Sequence, residues 1–444
     1  MSGSNLKVAI LGFGTVGSSV ARILGDLKPQ GLTLTLIYNR HVARKRVDWV
    51  PSGVVWTDSI EDVLASDVDV VVELVGGIDP AGEWVWKALQ AGKSVVTANK
   101  KLIAFDGIEL EKLAHAKGGS LLYGAAVAGG IPVIPGLQQG LAGDQITRIE
   151  GILNGTCNFI LSKMEAGAEF ATVLKEAQAL GYAEANPSED VDGFDARAKL
   201  VILARLALRA DLDPEQIPCR SISEVAAIDF EYARELGCTI RQISRAELHP
   251  TDEDLSAGAP GLQPTDEDLS VGSLGIRGGD VLASVGPMLV PKASPLAWSR
   301  GTENTVLAGG RYGGDVVFSG HGAGGHPTAV AVVSDLMSIA HGSRTVDLPS
   351  RKMAIGGEFL LRHSIRLVVR DQPGIIAEIA LALAEQGINI HAIFQKPGYG
   401  KANLPFVVTV EPCAGSALKR AMARIGAMDC LLEKPFDLQI LEPD

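Results

Sequence analysis

Cysteine is scarce and unpaired in this chain. Cys157, Cys219, Cys238, Cys413 and Cys430 are odd in number, scattered and never spaced as CxxC, which argues against a disulfide framework or a zinc site and fits a reducing cytoplasm. Concentrated basic charge is missing as well. With 40 Lys and Arg against 52 Asp and Glu, a formal net charge of -12 and no Lys/Arg-rich stripe, neither a nucleic acid nor an anionic membrane is expected as a partner. Long apolar runs are also absent: stretches such as "LVILARLAL" are broken by arginine before they could span a bilayer. The N-terminal stretch lacks the basic start, apolar run and small-residue cleavage site of a signal peptide, so no targeting or anchoring is expected. What remains is a 444-residue chain, 46% apolar and 21% charged, long enough to bury large cores and to split into about three domains.

The first segment, "LKVAILGFGTVGSSVARIL", reads as a buried strand from Val8 to Leu11, a turn with Gly12, Gly14 and Gly17 in GxGxxG spacing, and then a helix. Gly12 permits the turn, Gly14 lets backbone approach a pyrophosphate, and Gly17 lets the helix pack closely; Thr15 and Val16 join them as candidate cofactor contacts at the helix N-terminus. A glycine turn in some other α/β domain is the alternative. The next strand, "LTLTLIYNR", ends in Asn39 and Arg40 rather than an acid, with Arg44, Lys45 and Arg46 following. Arg40 therefore suits a ribose 2′-phosphate, and NADP is expected ahead of NAD. Strands at "DVDVVVELVG" and "KSVVTANKK", with the amphipathic "GEWVWKALQAG" between them, predict a doubly wound parallel α/β sheet. Lys100 and Lys101 fall just past a strand end, where such sheets bind ligands; two surface lysines capping a loop is the other reading.

Around residue 151 the character changes. "GILNGTCNFILSKMEAG" reads as a strand, a polar turn at Asn154, Gly155 and Thr156, and a helix whose N-terminus suits a carboxylate. "NPSEDVDG" is loop by composition and "FDARAKLVILARLALRA" is helical by period. Asp195, Lys199, Ile202 and Leu206 share one helix face. On spacing alone the first two read as a surface ion pair contributing about 0.3–0.5 kcal/mol. If that face is buried beside a nicotinamide, the lysine becomes a candidate proton donor to a carbonyl. A second glycine turn, with Gly322 and Gly324 in "SGHGAGGHPTAVAVVSDLMSIA", again suits backbone contact with a cofactor. His321 and His326 there read as loop and helix-start residues, since no acidic partner lies nearby in sequence.

The pieces "LGFGTVG", "TANKK", "GILNGTCNFIL", "GYAEANPSEDVDGFDARAKL" and "GHGAGGHPTA" together resemble the homoserine dehydrogenase family over essentially the whole chain. The resemblance implies reversible reduction of L-aspartate 4-semialdehyde to L-homoserine with NADPH or NADH, on the route to threonine, methionine and isoleucine. It implies Lys199 as the principal acid/base lysine, Lys100 as a second, and Asp195 as the carboxylate beside them. Glu184 is implied near the substrate ammonium, and Gly155, Thr156, Tyr182 and Asp190 as pocket lining, with Glu189 and Asp192 left to the loop itself. The glycine turn at 322–324 is implied to close over the nicotinamide side. The chain departs from the family at Gly124, where members commonly carry an acid that helps hold a monovalent cation. That cation site is therefore not expected intact, with carbonyls such as that of Val127 as the remaining ligands. Cys157 stands where the family usually has threonine, and reads as a small buried hydrophobe.

"PTDEDLS" occurs at 250–256 and again at 264–270, inside an acidic insertion at about 249–273 that reads as a solvated loop. After a polar linker at 343–360 comes β-α-β-β-α-β, a ferredoxin-like order, whose "RDQPGIIAEIA" resembles an ACT domain, a module that pairs with its own kind and binds amino acids at the interface. The resemblance implies threonine as effector, with Asp371, Gly374 and Asn389 as candidate contacts, and a homodimer or homotetramer. A module used only for oligomerisation is the alternative. The expected domains are thus a Rossmann-type NAD(P)-binding domain at 1–135, with 320–342 packing back on it, an α+β catalytic and dimerisation domain at 136–319, and the ACT domain at 361–444. Two rival functions stay open: an aspartate-semialdehyde dehydrogenase using Cys157 as nucleophile, and a non-catalytic amino-acid sensor.

Overall fold

The computed structural model describes residues 5–248, 280–342 and 350–442. The acidic insertion with its duplicated heptapeptide, and part of the linker, lie outside the described residues. Strands β1 (Leu6–Leu11), β2 (Leu32–Tyr38), β3 (Val55–Thr57), β4 (Val70–Glu73), β5 (Ser94–Thr97) and β6 (Leu121–Leu122) form a parallel sheet in the order β3-β2-β1-β4-β5-β6. Val8, Ile10, Val70, Val71, Val72, Val95 and Val96 are fully buried, as strands covered on both faces require. The strand order reverses between β1 and β4, which opens the crevice where dinucleotides bind in such sheets.

A second, nine-stranded sheet uses β7 (Ile146–Ile152), β9 (Cys238–Leu248), β10 (Val281–Pro291), β11 (Glu303–Gly310), β12 (Gly314–His321), β14 (Leu360–Val369), β15 (Ile390–Phe394), β16 (Leu404–Ala414) and β17 (Phe436–Ile440), in the order β12-β11-β7-β9-β10-β17-β14-β16-β15. Two short strands, β8 (Ala210–Asp211) and β13 (Arg351–Lys352), pair apart from it. Helices α1 (Thr15–Leu27), α2 (Ala81–Gln90) and α3 (Lys100–Ala116) flank the first sheet, while α4 (Gly155–Glu165), α5 (Ser188–Val191), α6 (Phe194–Ala207) and α7 (Ala227–Glu235) pack on the second. Helix α8 (Gly325–Ala340) returns to the first: its Ala329, Val332, Val333 and Leu336 share a buried cluster with Val20, Ala21 and Leu24 of α1.

The last unit, β14, α9 (Ile375–Ala384), β15, β16, α10 (Gly415–Ile425) and β17, has the ferredoxin-like order and its own apolar core. Its sheet is not its own. Parallel pairing of Met288 with Gln439 and of Leu289 with Ile440 joins β10 to β17 and fuses the module to the catalytic sheet. The final strand, expected across "CLLEKPFDLQIL", covers only Phe436–Ile440, because Pro435 has no N–H to give a ladder. Among the described residues no helix is long and apolar enough to cross a membrane.

Candidate active site

The glycines of the first turn divide as their spacing predicts. Gly12 has φ +97°, and a Cβ there would sit 2.9 Å from the Leu74 carbonyl oxygen, while one on Gly17 would overlap the carbonyl oxygen of Gly12. Beside Gly14 nothing lies within 4 Å, so backbone is open to a phosphate at the start of α1. Thr15 is exposed there and Val16 half-buried. Arg40 is exposed just beyond β2, and Asn39 accepts the His41 N–H through Oδ1 (3.0 Å). The second turn meets the first: Gly324 has φ +123°, Gly322 is buried against Asn304, and a Cβ on Gly325 would lie 2.9 Å from Ser19 Oγ and 3.1 Å from the Thr15 carbonyl oxygen. His321 and His326 are exposed, and no cluster of three His, Cys, Asp or Glu suited to a metal ion occurs among the described residues.

Three residues of this crevice escaped the sequence reading. Glu73, fully buried at the end of β4, accepts the Val75 and Gly76 N–H groups (2.7 and 2.8 Å) and the Thr97 hydroxyl (2.6 Å). Thr97 Oγ1 accepts the Asn99 N–H (2.9 Å); Asn99 donates to the Gly77 carbonyl (2.5 Å) and caps α3 by accepting the Leu102 N–H (3.2 Å). This chain of bonds fixes where α3 begins, and Lys100 is its first residue. An acid closing an all-valine run at a strand's C-terminal end was the available signal.

The helix face carrying Asp195 and Lys199 is buried, which excludes the surface ion pair. Asp195, 6% exposed, accepts Lys199 Nζ (2.7 Å) and Asn154 Nδ2 (2.8 Å) on Oδ2, and Lys100 Nζ (2.7 Å) on Oδ1. Lys199 Nζ also donates to the Leu153 carbonyl (2.7 Å). Burial opposes the charge on Asp195, but both ammoniums and their hydrogen bonds hold it well below the usual carboxylate range. Burial leaves Lys199 below the ordinary lysine value despite Asp195. Burial would depress Lys100 too, yet Asp195, Asp190 and Glu189 together carry it above its ordinary value.

Asp190, raised by burial, accepts Asn154 Nδ2 (2.6 Å), so it reaches the cluster through Asn154. Gly155 opens α4, and its Cα approaches the chain at Thr302, where a Cβ would lie 2.8 Å from the carbonyl oxygen. Thr156 Oγ1 donates to the Tyr182 carbonyl (2.8 Å), while the exposed Tyr182 ring packs edge-on against Phe159. Glu184 is exposed and its backbone carbonyl accepts from Gln178. Glu189, expected to serve its own loop, instead pairs with Lys101 (2.9 Å) at the start of α3. Asp192 follows α5 half-buried.

Cys157 is fully buried, burial pushes its thiol well up, and Sγ donates to the Asp190 carbonyl (3.1 Å). A protonated, enclosed thiol is no nucleophile, which removes the basis of the thiol mechanism. At Gly124 the space next to the backbone is taken by Asp335: a Cβ would lie 2.8 Å from its Oδ1, and the Asp335 carboxylate, reaching in from α8, accepts the Gly124 N–H (2.8 Å). Val127 is fully buried nearby in sequence. In the last unit Asp371 and Gly374 lie past the end of β14 at the start of α9, whereas the Asn389 carbonyl accepts the Glu411 N–H, level with the start of β14. One module therefore does not bring these three together.

A switch-point crevice edged by glycine turns, and a buried lysine–carboxylate cluster opening from the same sheet edge, define a nicotinamide-dinucleotide oxidoreductase. The family model "Homoserine dehydrogenase" matches residues 132–337, "Homoserine dehydrogenase, NAD binding domain" residues 12–124, and "ACT domain" residues 363–427. The homoserine dehydrogenase of Corynebacterium glutamicum is 36% identical, over 96% of this chain and 93% of that one. A solved homoserine dehydrogenase from Thiobacillus denitrificans is 31% identical with TM-score 0.85, covering 100% of both chains. A hyperthermophilic archaeal homoserine dehydrogenase mutant, solved in complex with NADPH, is 25% identical with TM-score 0.60, over 77% of this chain and 99% of that one. The chain belongs to the homoserine dehydrogenase family, oxidoreductases acting on CH–OH.

Proposed function

We propose that the chain interconverts L-homoserine and L-aspartate 4-semialdehyde with Lys199 as the acid/base, preferring NADP and restrained by threonine through its ACT domain. The observation that carries this reading is a buried carboxylate, Asp195, held between two lysines, Lys199 on one oxygen and Lys100 on the other. When bound, the nicotinamide exchanges a hydride with the carbon bearing the oxygen. Lys199 Nζ, held below the ordinary lysine value by burial, takes the hydroxyl proton in oxidation and returns it in reduction. Lys100 Nζ stays an ammonium and steadies charge on the substrate oxygen, and Asp195 stays ionised and orients both. Asp190 and Glu184 supply negative charge for the substrate ammonium, with Gly155, Thr156 and Tyr182 lining its pocket.

Support for NADP is the exposed Arg40 beyond β2, with no acid at that strand end, and the NADPH bound by the archaeal relative. An effector site using Asp371 and Gly374 of one module and Asn389 of another needs two copies, which supports a homodimer or homotetramer. The test is steady-state oxidation of L-homoserine with NADP and NAD, with and without L-threonine, on wild type and Lys199→Ala. NADP turnover that threonine lowers is expected, with kcat down about 10²–10⁴-fold in the variant. Full activity of Lys199→Ala would remove Lys199 from the mechanism, and absence of wild-type turnover would remove the reading.

A further inference from the structure

Asn154 is 3% exposed and uses three of its four hydrogen-bonding positions. Its Oδ1 accepts the Cys157 N–H (2.8 Å) as the cap of α4, which fixes the amide's orientation: the NH₂ end must face the carboxylates. That NH₂ donates to Asp190 Oδ1 (2.6 Å) and Asp195 Oδ2 (2.8 Å). We propose that Asn154 is a positioning residue for the homoserine reaction, whose bridging amide keeps Asp190 and Asp195 ionised side by side, Asp195 for the two lysines and Asp190 for the substrate ammonium. The proposal rests on the function argued above.

The physical need is plain from what surrounds the pair. Lys199 Nζ from α6 and Lys100 Nζ from α3 both bond Asp195, Glu189 and Asp190 stand on α5, and the Cys157 thiol faces them from α4. Gln242 on β9 adds only an uncharged amide, donated to the Asp190 carbonyl (3.3 Å). Neither lysine is hydrogen-bonded to the Asp190 carboxylate; both act on it only through space, and the Asn154 hydrogen bond is the largest of the influences that offset its burial and its proximity to Asp195. Two carboxylates at one site otherwise drive one of them to bind a proton. Asp190, already raised by burial, is the one that would.

Asn154→Ser and Asn154→Asp both keep an oxygen for the Cys157 N–H, yet the serine is too short to bridge and the aspartate has no donor. The first measurement is the pH profile of kcat/KM for reduction of L-aspartate 4-semialdehyde, where the acid limb reports the ionised carboxylates. In both variants that limb should move up by about one pH unit or more, a loss of about tenfold on the acid side of the limb that closes at alkaline pH. The second measurement needs no turnover: melting temperature against pH. A carboxyl whose folded pKa is raised stabilises at low pH and loses that contribution as pH rises through the raised value, so the variants' deficit should widen with pH. A pH-independent loss of activity with parallel melting curves would mean that Asn154 only caps α4, and unchanged profiles would overturn the proposal outright. If wild type lacks turnover, the function falls while the melting curves still decide Asn154.

Discussion

Asp195→Asn tests the charge cluster most directly. The substitution keeps the shape and one acceptor oxygen but replaces the other with an NH₂ that must face an ammonium now 2.7 Å away. Lys199, with a side chain 12% exposed, and Lys100 lose their shared counter-charge. Removing one member of a buried ion pair costs about 3–5 kcal/mol, and a buried lysine escapes part of that by releasing its proton. The Lys199 value, already lowered by burial, should therefore fall further. In homoserine oxidation the base form then appears at lower pH, so the acid limb of kcat/KM shifts down. Its plateau drops about 10²–10³-fold, since a weaker base removes the proton less well and neither lysine is any longer oriented by the carboxylate. The assay is steady-state oxidation across about pH 6 to 10 with melting of the same samples, where a rotor or packing defect alone would lower activity without moving the limb. An unmoved limb with less than about a threefold loss would refute the assignment of Asp195 as the group that holds Lys199 charged.

Asp335 gives a second pH signature, far from that cluster in sequence. Burial pushes it up to about 7, opposed by the Gly124 N–H. Because its folded value is raised, its contribution is full below the unfolded value of about 4 and is lost as pH rises through about 7, an upper bound of roughly 4 kcal/mol. Asp335→Asn should flatten the fall in melting temperature from about pH 5 to 8 and leave the variant the more stable at the upper end; equal slopes would contradict it. At the cofactor turn, Gly17→Ala must push α1 off the Gly12 carbonyl, so NADPH affinity by fluorescence titration should weaken about tenfold or more, and a wild-type affinity would refute that geometry.

What the sequence made legible was local. Strand, GxGxxG turn and helix follow each other without a gap, and the i, i+4, i+7 spacing of Asp195, Lys199 and Ile202 is a property of one helix, so both could be read before any fold was known. What escaped depends on meetings between distant segments. Asn154 lies 41 positions from Asp195, and Gly124 lies 211 from Asp335, so neither contact leaves a spacing to read. Arg205 is the sharpest case. In "LVILARLAL" it looked like a charge that interrupts an apolar run; folded, it is 4% exposed, donating to the carbonyls of Ile103 (2.8 Å) and Ala104 (3.1 Å) and paired with Asp211 (3.0 Å). The fusion of the ACT sheet to β10 rests on two paired positions, too few for any pattern.

Arg205 also explains why the site can be built across two sheets. Lys100 belongs to α3 on the first sheet, and Asp195 and Lys199 to α6 on the second, so the 2.7 Å contact between Lys100 and Asp195 exists only while those helices stay docked. One core spans the seam, joining Val71, Val95 and Leu102 to Ile149, Ile202 and Val306. Apolar packing of that kind is non-directional and tolerates sliding. The guanidinium does not: it bonds the carbonyls of the first turn of α3, just after Lys100, and a Cβ on Gly107 would sit 2.5 Å from its Nη1, so the helices cross where a glycine lets them. Register along α3 is thus set by Arg205 from one side and by the Asn99 cap from the other. Lys100 lies between the two constraints, which is how a long, flexible side chain comes to be held against one oxygen of Asp195 while Lys199 holds the other.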